Sequence, residues 1–196
     1  MNLKFAKMHG LGNDFMVIDL VSQDLCVNAQ QISAWADRRT GIGFDQLLTI
    51  EPPTEPDADF RYRIYNADGE EVEQCGNGAR CAAKFIALRM LSPKQSLWLQ
   101  TLGGTIQTRR LDEDTVEVDL GVPRNEPTDV PYSVPAACPP EVENALTYQL
   151  QCEAGRYELT PVSIGNPHGV MFVTDITSTP VEELGSQLVK HPFFPH

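Results

Sequence analysis

Residues 73–81 read EQCGNGARC, and the cysteine ahead of the Gly-Asn-Gly step is the side chain best placed to do chemistry. Gly76 and Gly78 permit backbone geometry that a Cβ would block, and they let a ligand approach the chain closely. From Asn77 to Leu91 helix formers dominate, and Ser92-Pro93 is expected to stop the run. A helix starting there aims unpaired N–H groups, and the positive end of its dipole, at Cys75. Negative charge on the sulfur is favoured at such a place, and a carboxylate can bind on the same N–H groups. A base beside an anion anchor is an arrangement for acting on a carboxylic acid. Phosphate binding is the competing use of a glycine-rich turn, but the Lys-Ser/Thr of a P-loop is absent and the Rossmann spacing does not fit. A nucleophilic cysteine assisted by His168 is the other reading of the thiol. Cys26, Cys81, Cys138 and Cys152 lack this setting and read as small buried or incidental residues.

The surrounding pattern indicates what holds Cys75. LKFAKM and FMVIDLV, on either side of HGLGND, read as strands joined by a glycine-rich turn. Residues 28–38 suit a short helix with Ile32, Trp35 and Ala36 on one side. QLLTIE, FRYRIYN, LWLQT, TIQTRRL and TVEVDL are strand-like, with Gly103-Gly104 a hairpin turn. Phe60, Tyr62 and Ile64 alternate with Arg61 and Arg63, so one face of that strand is apolar. In the run after Asn77, residues Ala79, Ala83, Ile86 and Met90 form one apolar face. Phe85, Leu88 and Leu91 extend it over most of the circumference. A helix so apolar belongs inside a structure. The fold class is therefore α/β (α+β), a sheet wrapped around a central helix.

Residues 121–140 are proline-rich and aperiodic, a connection between a first domain at 1–120 and a second at 141–196. Strand-like runs resume with GRYELTPVSI and GVMFVTDI, and a last helix is expected over 181–190. LGNDFMVIDL near the start is echoed by IGNPHGVMFVTDI, which points to a duplicated domain whose second copy starts near Asn166. The counterpart of Cys75 would then fall beyond residue 196, leaving the second domain incomplete.

Composition narrows the partners. The 196 residues carry a net charge of −12, with a pI near 4.6. No Lys/Arg cluster offers the basic footprint that nucleic acid requires, and acidic membrane surfaces are disfavoured alike. A signal peptide and a membrane-length apolar run are both missing, so a cytoplasmic place with reduced thiols is expected. The cysteine count is odd, without a CxxC pair, and the histidines have no ligand spacing, so no metal site is expected.

KMHGLGNDF, GIGFDQLL, YNADGEEVEQCGNGARC and SIGNPHGV, in that order, resemble the diaminopimelate epimerase family. The resemblance implies an isomerase without PLP, metal or other cofactor. Such an enzyme interconverts LL- and meso-2,6-diaminopimelate, a small-molecule substrate on the route to lysine and the bacterial cell wall, and works as a homodimer. It also implies two similar domains, each with a sheet around a central helix, and an active site between them. There two cysteines, one thiolate and one thiol, face each other across the substrate. Cys75 matches the first, and Gly76 and Asn77 match the backbone donors to the reacting carboxylate. Asn13, Gln46, Asn66 and Asn166 match substrate-binding positions, and His168 matches a residue that tunes the cysteine pair. Amides suit a substrate with zwitterionic ends, since they donate to carboxylates and accept from ammoniums. Turn chemistry alone also accounts for Asn13 and Asn66. Family members continue past the point matching His196 with a Glu-Arg pair and the second cysteine. The expectation is a chain that does not epimerise alone and that exposes apolar surface in its second domain. Rival readings are a proline racemase or PhzF-like isomerase of the same fold, a non-catalytic amino-acid-binding relative, and a cysteine hydrolase.

Overall fold

The computed structural model describes residues 3–126, 130, 132, 133, 147–153 and 155–194. It divides into two compact units, Met1–Gly121 and Val122–His196. Most of the proline-rich stretch 121–140, Cys138 included, lies outside the described residues.

In the first unit β1 (Phe5–Gly10) and β2 (Asn13–Asp19) form an antiparallel hairpin. Its two turn residues, Leu11 and Gly12, both take positive φ (53° and 91°), the twist that a two-residue hairpin needs. Next come α1 (Ala29–Ala36), β3 (Gln46–Glu51), β4 (Phe60–Asn66) and β5 (Glu71–Val72). They are followed by α2 (Gly76–Leu88), β6 (Ser96–Thr101), β7 (Gly104–Arg110) and β8 (Val116–Asp119). The sheet order is β1-β2-β3-β4-β6-β7-β8, with β5 on β4. The β2–β3 and β4–β6 pairs are parallel. Parallel pairs need long crossovers, and α1 and α2 are those crossovers.

The two helices pack on opposite faces. Ile32 and Ala36 of α1 join Met16, Ile18, Leu47 and Tyr65. Ala79, Ala82, Ala83, Phe85 and Ile86 of α2 join Phe15, Val17, Leu48, Ile50, Phe60, Tyr62 and Ile64, together with Leu97, Leu99, Ile106 and Val116. α2 touches strands from both ends of the sheet order, β1 and β8, as well as β2, β3, β4 and β7. A sheet does this only by curling around the helix, as the apolar circumference of α2 leads one to expect. Phe60, Tyr62 and Ile64 face inward, and Arg61 and Arg63 outward.

Two boundaries differ from the sequence reading. The β6–β7 turn is Leu102-Gly103, because Gly104 already pairs with Thr101. α2 ends at Leu88, ahead of Ser92-Pro93, so Met90 stands outside the helix, 88% exposed, rather than on its buried face. Met90 turns left-handed (φ 55°). Its N–H donates to Ala87 O, and Leu91 N–H donates to Ile86 O, both at 3.0 Å, the paired closure of a Schellman end.

The second unit holds β9 (Tyr148–Cys152), β10 (Gly155–Ser163), β11 (Pro167–Val170) and α3 (Val181–Val189), with sheet order β11-β10-β9. Its core gathers Val130, Tyr132, Tyr148, Leu150, Leu159 and Phe193, with Tyr132 stacked on Phe193 at 5.1 Å. β11 stops at Val170, so the rest of GVMFVTDI is not strand. Among the described residues no helix is long and apolar enough to cross a membrane.

Candidate active site

Cys75 is the N-cap of α2, with extended backbone (φ −145°, ψ 107°), and its Sγ accepts the Gly78 N–H at 3.3 Å. The sulfur thus occupies the place a Ser or Asp oxygen takes in an ordinary cap. Gly78 is required there. A Cβ would sit 2.2 Å from Tyr62 Oη and 3.2 Å from Leu48 Cδ2. Tyr62 Oη in turn donates to the Cys75 carbonyl at 3.3 Å. Burial, with Cys75 and Cys81 nearby, pushes the Tyr62 hydroxyl well up, which keeps it a neutral donor. Cys75 is half-buried, whereas Cys81 is buried and pushed up to about 11, chiefly by that burial. A Cβ at Gly76 would find nothing nearer than Leu120 at 3.5 Å. Gly76 and Asn77 open the helix, so their N–H groups precede any carbonyl four residues back within it.

Three amides stand at one end of the sheet, since Asn13 begins β2, Gln46 begins the parallel β3 and Asn66 ends the antiparallel β4. Asn13 Oδ1 lies 3.7 Å from Cys75 Sγ, and Asn13 Nδ2 donates to Asp45 Oδ2 at 2.9 Å. Gln46 Nε2 donates to Asn66 Oδ1 at 3.0 Å. Gln46 Oε1 is buried without a hydrogen-bond partner. Such an orphan costs about 1–3 kcal/mol, and an ammonium group of a ligand would relieve it. The Asn77 side-chain oxygen is taken by the Arg80 guanidinium.

Behind the amides lies an ion cluster in which Arg38 bridges Asp14 and Asp45, each at 2.7 Å, while Lys7 meets Asp14 at 2.7 Å. The Arg38 hydrogen bond, joined by Lys7, holds the Asp14 carboxyl well below the usual carboxylate range, against its partial burial. A cavity of about 620 Å³ opens on the outer face beside Thr49, Glu51, Arg61 and Arg63, and none of the candidate residues lines it. No group of three or more His, Cys, Asp or Glu side chains among the described residues could hold a metal ion.

The remaining candidates belong to the second unit. Asn166 lies in the β10–β11 turn, and His168 sits on β11 opposite Val162, both exposed. His168 Nδ1 is 2.9 Å from Asn166 O. The carbonyl can only accept, so Nδ1 carries the proton. Sequence reasoning brought out Cys75, Asn13, Gln46 and Asn66 but passed over Asp45, Arg80 and Tyr62. Asp45 precedes Gln46 directly, and that adjacency was the available signal.

A curled sheet around one helix is a fold this chain shares with epimerases and isomerases. The hydroxyproline epimerase of Agrobacterium vitis, solved with trans-4-hydroxy-L-proline bound, superimposes with a TM-score of 0.59 at 13% identity, over 93% of this chain and 53% of its own. The PhzF-family phenazine biosynthesis protein of Bacillus anthracis gives 0.54 at 18% identity, over 97% and 62%. The family model of diaminopimelate epimerase matches residues 5–125. The diaminopimelate epimerase of Pseudomonas aeruginosa is 51% identical over 195 residues, which is 100% of this chain and 68% of that protein. The chain belongs to the diaminopimelate epimerase family, a family of isomerases.

Proposed function

We propose that this chain carries the Cys75 half of a cofactor-independent site that epimerises the α-carbon of diaminopimelate. The observation that carries the reading is a half-buried Cys75 whose Sγ is held 3.3 Å from a helix-start N–H and 3.7 Å from Asn13 Oδ1. An amino-acid α-proton is very weakly acidic, so its removal needs donors aimed at the charge that develops. The substrate carboxylate, seated on the Gly76 and Asn77 N–H groups, receives that charge as the thiolate of Cys75 takes the proton. A thiol on the opposite face must return a proton for inversion. That second cysteine is to be sought in the part of the relatives that residues 1–196 do not span.

Asn13, Gln46 and Asn66 bind the substrate from the first domain, 1–120. Asn166, with His168 tuning the thiols, acts from the second, 141–196. The working unit is a homodimer, as the resemblance implies, and its expected place is the cytoplasm. The isolated chain therefore binds diaminopimelate but does not turn it over at a useful rate.

Site-resolved alkylation with iodoacetamide, with and without diaminopimelate, tests the site, and conversion of the LL to the meso form tests the chemistry. The expected result is a reactive Cys75 that diaminopimelate, but not proline, protects, with no meso product. An inert Cys75 sinks the site. Measurable meso product that Cys75→Ser abolishes sinks the claim of inactivity.

A further inference from the structure

Asp45 does not touch the sulfur, yet through its hydrogen bond to Asn13 it decides which atom the sulfur meets. Asp45 Oδ2 accepts from Asn13 Nδ2 at 2.9 Å and from the Asp14 N–H at 3.0 Å, while its Oδ1 accepts from Arg38 at 2.7 Å. A carboxylate paired with Arg38 has only acceptors to offer, so the Asn13 atom facing it must be the NH₂. This settles the amide orientation from the network itself. The Asn13 oxygen is consequently left facing Cys75 Sγ at 3.7 Å.

We propose that Asp45 is a positioning residue, which locks the Asn13 amide so that Cys75 Sγ meets an acceptor on one side and the Gly78 N–H donor on the other. The two neighbours favour opposite states. The N–H donor favours the sulfur anion and the amide oxygen favours the S–H form. A group that takes a proton in one direction of an epimerisation must give one in the other, and a one-sided environment would cripple one of those roles. The inference rests on the proposed role of Cys75. The other titratable groups facing the sulfur are Tyr62 of β4 and Cys81 of α2, both kept neutral chiefly by burial. Arg80, the cation on the same helix turn, is engaged with Asn77. Asp14, Arg38 and Lys7 lie behind Asp45.

The test is the pH–rate curve of Cys75 alkylation by iodoacetamide, read on the Cys75 peptide by mass spectrometry in the full chain. Asp45→Ala frees the Asn13 amide to turn its NH₂ toward the sulfur. Cys75 should then react about threefold or more faster at pH 7, with the curve displaced to lower pH, as an added donor to the anion requires. Asp45→Asn keeps an acceptor for Asn13 Nδ2 and should restore most of the parent curve. In an Asn13→Ala background, Asp45→Ala should change nothing further. An unchanged curve in Asp45→Ala overturns the inference, and so does a displacement of equal size with Asn13 absent. A parent Cys75 that never reacts overturns this inference and the proposed function together.

Discussion

The same short pattern occurs in both units and meets opposite fates. In the first, LGND turns the chain into β2, and Phe15, Met16, Val17 and Ile18 are all 0% exposed. In the second, IGNP turns it into β11, whose four residues are all exposed. Beyond that strand Phe172 stands 95% and Ile176 74% exposed. Both strands have a hairpin partner on one side, β1 or β10. β2 also has β3 on its other edge and α2 against its inner face. β11 has no strand on its other edge among the described residues. An apolar pattern states what would gain from leaving water, but only a neighbour takes it out of water. Full burial of one such side chain is worth about 1.5–3 kcal/mol, and the first unit collects that four times over in a single strand.

Truncating one aromatic from each unit tests this contrast most severely. Phe15→Ala should cost about 3–5 kcal/mol by urea unfolding, the usual loss for a buried aromatic. Phe172→Ala should stay within about 0.5 kcal/mol, as exposed positions do. Equal losses would mean that Phe172 is covered in solution, and the contrast would be void.

A smaller effect comes from one glycine in each unit's helix. Gly78 of α2 has no room for a methyl group, because Tyr62 Oη would lie 2.2 Å away. Gly78→Ala should cost about 1–3 kcal/mol, the range for overpacking, and should slow Cys75 alkylation by moving the helix start. Gly185 of α3 has nothing within 4 Å of an added Cβ. Gly185→Ala should stabilise by up to about 1 kcal/mol, since glycine inside a helix is poor in propensity. Thermal melts of both variants measure the pair. A neutral Gly78→Ala would show that the helix start is looser than its contacts imply.

The same contrast governs how much was legible in the sequence. The inner helix showed itself because seven of its residues, from Gly78 to Ile86, are buried and such crowding leaves a nearly continuous apolar run. The alternation of β4 was plain for the same reason. Cys75 stood out by local chemistry alone. The Asn13–Asp45 contact did not, because it joins residues 32 apart and depends on β2 and β3 lying parallel in register. The pairing of Gln46 with Asn66 was hidden likewise, although each was a candidate by itself. The end of α2 was misplaced because Ser92-Pro93 is a visible stop, while a left-handed Met90 leaves no mark in composition. GVMFVTDI reads as a strand by pattern, but β11 ends early, and among the described residues no second neighbour extends the pairing.

That hidden helix end supplies the finest comparison. Left-handed backbone costs an L-residue with a Cβ about 1–2 kcal/mol, and glycine escapes the cost. Met90 holds φ 55° because the closing bonds to Ala87 and Ile86 demand it, and its side chain, 88% exposed, gains little in return. Met90→Gly should therefore raise stability by about 1 kcal/mol, reduced somewhat by the greater freedom glycine gives the unfolded chain. At the end of α3 the cap residue Lys190 has φ −96° and ψ 0°, much like the α2 cap Arg89, and His191 after it, the counterpart of Met90, does not take positive φ. Nothing there calls for glycine, so Lys190→Gly should be neutral or cost a few tenths of a kcal/mol through that same unfolded-state freedom. Urea midpoints at constant slope would separate the two. If both variants gained alike, left-handed strain would not be what distinguishes the two helix ends, and Met90 would hold its geometry at no cost.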